Sequence, residues 1–152
     1  MNLLKSLIMI LIFSSCSSDD NNKSDDNNKA VPIFNDLIIG EWNFSTQSLN
    51  GNNLEFEDEC HKDFEYLIFL SDGIYNQIEF ENLTGNGCEQ VQSSIGTWNI
   101  ENTSINYTTS DGDDYVATIL VLNETTLSIQ WDYDIDDDGN IDEFIQNFTR
   151  RN

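Results

Sequence analysis

Apolar and polar residues alternate along much of the chain, and a two-residue period is typical of β-strands that bury one face. The longest unbroken alternation covers residues 127–135, and a second covers Ile74–Glu81. The second run is connected to residues 64–70 by Ser-Asp-Gly at 71–73, which predicts a tight hairpin because Asp and Gly favour turn conformations. These runs predict three strands, two of them paired.

Shorter runs of the same kind follow one another along the rest of the chain, separated by turn signals such as Asn50-Gly51 and Asp111-Gly112. They predict further strands over residues 38–46, 54–56, 94–101, 105–109, 115–122 and 143–149. The helical signal is limited to a turn at residues 32–36. About eight or nine short strands in series predict an all-β fold, an antiparallel up-and-down β-barrel, with a β-sandwich as the alternative.

A barrel of about eight strands has an interior just wide enough for side chains or one small ligand. The residues expected to point inward are those on the more apolar face of each strand. They are Trp42, Phe64, Tyr66, Ile68, Ile78, Phe80, Trp98, Ile119, Ile129, Trp131 and Tyr133. Among them Trp131 and Tyr133, with Tyr66 and Phe80, are the candidate ligand contacts, because Trp and Tyr place polar atoms beside apolar rings. The alternative is that all of these side chains simply fill the core.

The N-terminus has the pattern of a signal peptide over residues 1–15, with Lys5 ahead of an apolar run at 3–13. A run of this length is little more than half of the ~20 residues that a membrane-spanning helix needs. Residues 13–16 resemble the bacterial lipobox, although Phe13 replaces the usual Leu, so Cys16 is the expected site of lipidation. The sequence therefore predicts an N-terminal lipid anchor on a membrane.

Residues 16–30 form a polar, acidic stretch that cannot bury enough surface to fold, which predicts a flexible tether. Acidic residues directly after a lipidated cysteine resemble the export signal of some Gram-negative lipoproteins. We therefore expect a protein that is lipid-anchored in the outer membrane and exposed at the cell surface, the alternative being a periplasm-facing position. Residues 31–152 are the expected size of one folded domain, which we expect to be monomeric.

The chain is strongly acidic, with 28 acidic against 6 basic residues and a formal net charge of −22. This charge argues against nucleic-acid binding, because the phosphate backbone would be repelled. It favours solubility, cationic ligands or bound divalent cations.

Cys60 and Cys88 remain as an even pair once Cys16 carries lipid, and the expected compartment is oxidising. We therefore predict that they form a disulfide. Closing a loop of about 29 residues stabilises a fold by roughly 3–4 kcal/mol in the chain-entropy model.

Three short motifs resemble the lipocalin-like lipoproteins of Gram-negative bacteria. Gly40-Glu41-Trp42 matches the Gly-x-Trp motif that opens the first strand of lipocalins, residues 69–75 follow in the expected hairpin, and residues 96–100 fit a later strand. The resemblance implies a barrel in which Trp42 plugs one end. It also implies that a basic residue after the last strand, Arg150 or Arg151, stacks on Trp42.

An acidic loop near the C-terminus carries oxygen ligands at calcium-loop spacing. Its candidate ligands are Asp134, Asp136, Asp138, Asn140, Asp142 and Glu143. Gly139 permits the sharp turn that such a loop requires, whereas Ile145 stands where an EF-hand has its bidentate glutamate. The loop is therefore either a calcium-stabilised hairpin or an acidic turn without metal.

No nucleophile motif or phosphate-binding glycine loop is present, and a single histidine is the only candidate base of its kind, so we expect no enzymatic activity. The leading hypothesis is a lipid-anchored, lipocalin-like barrel that binds a small apolar ligand or a partner. The alternative is a calcium-binding structural or adhesion module at the cell surface.

Overall fold

The fold is described by a computed structural model, which covers residues 30–152 except 84, 86, 136 and 137. The predicted signal peptide, Cys16 and nearly all of the tether lie outside the described residues. Within the described part, no helix is long and apolar enough to cross a membrane.

The described residues form nine strands and two helices. In chain order they are α1 (Ala30–Ile38), β1 (Gly40–Leu49), β2 (Asn52–Leu54), α2 (Glu59–Phe64), β3 (Tyr66–Phe69), β4 (Ile74–Glu81), β5 (Glu89–Glu101), β6 (Ser104–Thr109), β7 (Asp114–Leu122), β8 (Thr126–Tyr133) and β9 (Asp142–Arg150).

The strands close into an antiparallel barrel. β1 pairs with β3, each later strand pairs with the next, and β9 returns to pair with β1. The ring of the described strands therefore has eight members, and β2 is an additional strand paired only with β1. The predicted up-and-down barrel is confirmed, since every neighbouring pair in the ring is antiparallel.

The two ends of the barrel differ. At the closed end lie α1, the start of β1 and the end of β9. At the open end lie α2, the end of β1 and the start of β9. We call them the closed end and the open end because core side chains seal the first, whereas the inner cavity lies nearer the second.

α2 is a helix that the sequence analysis missed. Asp58 caps it, because its carboxylate accepts a hydrogen bond from the backbone N–H of His61 at 2.9 Å. Phe64, expected on a strand and inside the barrel, is instead the last residue of α2 and is 47% exposed. The apolar alternation that begins at residue 64 belongs to β3 only from Tyr66 onward.

Several predicted inward residues lie on the outer face. In β3 the core contains Leu67 and Phe69, so Tyr66 and Ile68 point outward. In β4 the core cluster contains Tyr75, which leaves Ile78 and Phe80 on the opposite face, where Ile78 is nonetheless buried. The reason is that Tyr-Leu-Ile-Phe in β3 is apolar on both faces, so alternation alone does not say which face turns inward.

The disulfide prediction is confirmed. Cys60 of α2 and Cys88, just ahead of β5, are bonded with their Cα atoms 5.4 Å apart. The bond joins α2 to the connection between β4 and β5 at the open end. It therefore holds the short helix against the barrel.

Trp42 seals the closed end. Its side chain is fully buried, and its Nε1 donates a 2.7 Å hydrogen bond to the carbonyl of Ile38 at the end of α1. The guanidinium of Arg150 lies 4.1 Å from the centre of the Trp42 ring, in a cation–π contact. Arg151 is placed elsewhere, over the outward-facing ring of Tyr66 at 3.7 Å.

Arg150 also binds three backbone carbonyls, two where α1 meets β1 and one in the turn between β7 and β8. Its Nη1 donates to the carbonyl of Ile39 at 2.6 Å, its Nη2 donates to that of Leu37, and its Nε donates to that of Glu124 at 3.1 Å. A cation beside the last carbonyls of α1 is favourable for the helix dipole. Burial lowers the pKa of Arg150, yet the group stays charged because its usual pKa is far above neutral.

Gly40 is required at this end for two reasons. Its φ of +130° is disfavoured for residues with a side chain, and a Cβ there would lie 2.4 Å from Arg150 Nη1. The glycine and tryptophan of the motif and the arginine after it are thus one packing unit.

We expect Arg150→Met to lower the free energy of unfolding by about 3 kcal/mol, because it keeps the aliphatic stem but removes three charged hydrogen bonds and the ring contact. Arg151→Met is the matched control and should cost about 1 kcal/mol or less, since it loses only an exposed ion pair with Glu41 at 3.6 Å and a ring contact with Tyr66 on the outer face. Urea unfolding measures both. Equal losses in the two variants would contradict the assigned role of Arg150.

Replacing both Cys60 and Cys88 with Ala should lower the free energy of unfolding by about 3–4 kcal/mol while the strand signal in circular dichroism remains. The barrel closes through β1 and β9 without help from the disulfide, which is why the fold should survive. Loss of the β spectrum at room temperature would show instead that the disulfide is needed for folding.

Candidate functional site

A gap opens between β7 and β8 at the open end of the barrel. Their pairing extends only as far as Thr118 opposite Gln130. Beyond this point residues 114–117 continue to pair with β6, and residues 131–133 continue to pair with β9. The two strands therefore separate and leave an opening in the barrel wall, which we call the side cleft.

The side cleft has a volume of about 600 Å³. Both separated strands and β9 form its walls. Its lining residues are Asp114, Tyr115, Val116, Trp131, Asp132, Tyr133, Phe144 and Gln146. Tyr115, Val116 and Tyr133 are about half exposed, so the cleft presents apolar side chains to solvent.

A smaller inner cavity of about 200 Å³ lies inside the barrel beside the cleft. It is lined by Phe44, His61, Leu67, Tyr75, Gln77, Tyr107, Thr109, Tyr115, Ile129, Trp131 and Gln146. Tyr115, Trp131 and Gln146 belong to the walls of both spaces, so the cleft and the cavity adjoin at these three residues. We call this boundary the junction.

Trp131 is held in place at the junction. Its Nε1 donates a 2.9 Å hydrogen bond to Oε1 of Gln146 on the neighbouring strand β9. Its ring lies 5.4 Å from that of Tyr107, with the two planes tilted by 31°. Cross-strand pairing and ring stacking therefore fix the aromatic surface before any ligand arrives.

Gly96 makes room for a second aromatic wall. A Cβ at this position would lie 2.5 Å from a ring carbon of Tyr75 and 2.3 Å from the carbonyl oxygen of Thr108. The ring of Tyr75 therefore lies directly against the backbone of β5. There it meets the ring of Tyr107 edge-on, with the ring centres 5.2 Å apart.

The hydroxyl of Tyr107 has no hydrogen-bond partner among the described residues, although the side chain is buried. A buried polar group without a partner costs about 1–3 kcal/mol, and such groups are uncommon in folded proteins. Burial, with a smaller contribution from Tyr75, raises the pKa of Tyr107. The phenol is consequently neutral at physiological pH, so its oxygen is free to accept a hydrogen bond.

Four of the five tyrosines of the chain line the inner cavity or the side cleft, namely Tyr75, Tyr107, Tyr115 and Tyr133. Burial, and then the proximity of Tyr115, raises the pKa of both Tyr75 and Tyr133. These two phenols are also neutral at physiological pH. The site thus offers ring faces and uncharged hydroxyls.

The charged side chains at the site are mostly acidic. Asp114 and Asp132 stand at the side cleft, where Asp114 accepts a hydrogen bond from Thr108 and Asp132 accepts one from Gln130. His61 is the basic residue in the walls of the described cavity and cleft. Its Nε2 lies 3.7 Å from a carboxylate oxygen of Glu65.

The structure places two of the four predicted ligand contacts together. Trp131 and Tyr133 both line the side cleft. Tyr66 does not reach it, because it lies on the outer face under Arg151. Phe80 also faces away from the core and packs on Phe64 with ring centres 5.8 Å apart.

The residues that sequence reasoning missed are Tyr75, Gln77, Tyr107, Tyr115 and Gln146. For two of them the sequence of β4 indicates that they share one face, because Tyr75 and Gln77 alternate with the more apolar Ile74 and Ile78. Choosing the more apolar face as the inner one gave the wrong result in β4, since the inner face there lines a cavity.

The acidic loop after β8 uses its described carboxylates for its own backbone. Asp134 accepts hydrogen bonds from the N–H groups of Asp138 and Gly139, and Asp138 accepts one from that of Asn140. The buried carboxylate of Asp142 accepts a 2.6 Å bond from Asn50 and a 2.9 Å bond from the N–H of Ile135.

Asp136 lies outside the described residues, and Glu143 joins Asn50 through its backbone N–H at 3.0 Å. Among the residues that the structure describes, no three His, Cys, Asp or Glu side chains are grouped to hold a metal ion. The calcium hypothesis therefore gains no support from this loop, whose described carboxylates act as turn and strand caps.

The family profile described as "Lipocalin-like domain" matches residues 38–129. No curated protein matches the chain in sequence. A lipocalin-like protein from Bacteroides uniformis superimposes with a TM-score of 0.52 at 12% identity, over 75% of this chain and 98% of that one. An uncharacterized protein from Bacteroides eggerthii has the same TM-score at 10% identity, over 75% and 99% of the two chains.

At these identities the solved structures show a shared fold, and the profile match covers more than half of the chain. The motif of Gly40 and Trp42 under Arg150 and the eight-stranded ring agree with that match. The chain belongs to the lipocalin-like domain family.

Proposed function

We propose that this protein is a non-enzymatic binding protein that takes a small molecule with an apolar body through the side cleft into the inner cavity. The observation that carries the proposal is the separation of β7 from β8 directly beside an aromatic-lined space inside the barrel. A sheet that continued its pairing to the open end would close this entrance.

The size and chemistry of the site support binding. Small-molecule sites are usually concave spaces of about 300–1,000 Å³ with mainly apolar walls and a few polar groups. The side cleft, of about 600 Å³, lies in this range, and the adjoining inner cavity of about 200 Å³ adds apolar walls that include Phe44, Leu67 and Ile129. Lipocalin barrels typically hold one small hydrophobic ligand, so the fold and the cavity favour the same function.

The proposal also includes attachment to the outer membrane through lipid on Cys16. It rests on the signal-peptide pattern of residues 1–15 and on the lipobox-like residues 13–16. The acidic stretch after Cys16 favours the cell surface over the periplasm. At such a position the barrel, as a monomer, would capture its ligand from the medium.

Binding is tested by calorimetric titration of the full chain in phosphatidylcholine nanodiscs with the neutral aromatic 1-naphthol, with the heat of empty discs subtracted. We expect saturable binding at one site. Gln77→Trp should weaken it at least about tenfold, because Gln77 lines the inner cavity and a Trp there occupies the space.

The matched control is Asn76→Trp, which adds the same side chain at the next position of β4, on the outer face. Its affinity should equal that of the parent protein. A parent protein that shows no saturable heat, or two variants that bind equally well, would refute the proposed site.

Lipidation is tested by mass spectrometry of the protein extracted from membranes. The mature chain should begin at Cys16 and carry acyl chains, while Cys16→Ser should stay unprocessed, since the thiol is the point of attachment. Digestion of intact cells by an added protease then distinguishes the two faces of the membrane. Protection of the barrel in intact cells would place it in the periplasm.

A further inference from the structure

The side cleft and the junction together have three features that favour a cationic ligand. Asp114 and Asp132 lie on the two separated strands and both line the side cleft, so a molecule in the cleft lies close to carboxylates. The chain as a whole carries a formal charge of −22. An anionic ligand is repelled on approach, whereas a cation is attracted.

Positive side chains that would hold an anion lie elsewhere in the described structure. Arg150 and Arg151 occupy the closed end, where they cover Trp42 and Tyr66. Lys62 lines a separate surface pocket beside Phe56. His61 alone is basic in the described walls, and its imidazole lies near the carboxylate of Glu65. A carboxylate ligand therefore lacks an arginine or lysine partner in the site.

Aromatic rings line both spaces where they adjoin. Trp131 and Tyr115 form the junction itself, Tyr107 stacks on Trp131, and Tyr133 lines the cleft beyond them. Ring faces attract ammonium groups, and several rings around one position form the usual protein site for an organic cation. Each such contact is worth about 0.5–2 kcal/mol, with the larger values where water is excluded.

The hydroxyl of Tyr107 supplies the remaining element. It is buried, lacks a partner among the described residues, and belongs to the residue opposite Tyr115 in the register of β6 and β7. A neutral phenol oxygen accepts a hydrogen bond, and an ammonium N–H is a strong donor. A ligand ammonium group that reaches this enclosed oxygen gives the hydroxyl a partner, and its charge offsets part of that of the two carboxylates.

On the basis of the proposed function, we propose that the ligand is an organic ammonium ion with an apolar body. The ammonium group lies at the junction, among the rings of Tyr107, Tyr115 and Trp131, and donates to the Tyr107 oxygen. The apolar body extends into the inner cavity towards Phe44, Leu67 and Ile129. The carboxylates of the cleft provide the attraction that repays part of the desolvation of the cation.

The test compares three probes of similar size by calorimetry on the full chain in phosphatidylcholine nanodiscs at pH 7. They are 2-phenylethylamine, which is cationic, 2-phenylethanol, which is neutral, and 3-phenylpropionate, which is anionic. We expect the amine to bind at least about tenfold more tightly than the alcohol, and the carboxylate to bind more weakly than the alcohol. The preference for the amine should decrease with added salt.

Two variants test which side chains select the cation, and a third is the control for total charge. The double variant Asp114→Asn/Asp132→Asn should weaken the amine about tenfold and leave the alcohol unchanged, because the shape of both side chains is kept. Asp36→Asn/Glu101→Gln removes the same charge from exposed positions near the closed end and should leave both probes unchanged. Tyr107→Phe should weaken the amine about fivefold without lowering the melting temperature, since it removes an unpaired buried hydroxyl.

The outcomes separate the two proposals. If the alcohol and the carboxylate bind as tightly as the amine, the cation proposal is wrong while the binding function stands. If the two double variants weaken the amine equally, the effect comes from total charge and the assigned site is wrong. If none of the probes binds and 1-naphthol also fails, both proposals are refuted.

Discussion

The structure depends on the closure of β9 onto β1, because this pairing turns an open row of strands into a barrel with an inside. Trp42 and Phe44 of β1 lie opposite Arg150 and Phe148 of β9 within the same pairing. The contact that closes the ring therefore also places Arg150 over Trp42 and seals one end. The described inner cavity lies towards the other end.

The interior changes character along the barrel axis. Near the closed end the inward side chains, such as Ile105, Leu127 and Phe148, are fully buried or nearly so and fill the space. Nearer the open end the inward positions of the same strands carry Tyr107, Trp131 and Gln146, which line the cavity. A packed half supplies stability, and this allows the other half to hold an unpaired hydroxyl and an opening in its wall.

The sequence predicted the strands well and the inner face less well, for one physical reason. Alternation identifies β4 and β8, and the two motif residues Gly40 and Trp42 identify the sealed end. The rule that the more apolar face is the inner one holds where the barrel is filled. It fails in β4, where Gln77 faces the cavity and Ile78 faces outward.

Other parts of the site depend on contacts that no local pattern contains. The helix α2 forms around an Asp58 cap and a bond from Cys60 to a residue 28 positions away. The separation of two strands depends on the registers of three pairings. Trp131 and Tyr133 were identifiable because they lie within a long alternation, whereas Tyr107 and Tyr115 gain their roles only from each other's position.

The acidic residues beside the side cleft connect its shape with its selectivity. If the register of Thr118 and Gln130 were continued, Tyr115 would face Tyr133 and Asp114 would face Asp134. Like charges directly opposite one another destabilise strand pairing, so Asp114 and Asp134 disfavour closure of the entrance. A cation in the cleft lessens that repulsion, and its binding should therefore draw the two strand ends closer. Neutral ligands lack this effect, which gives an ammonium ligand a second advantage beyond its contacts with the rings.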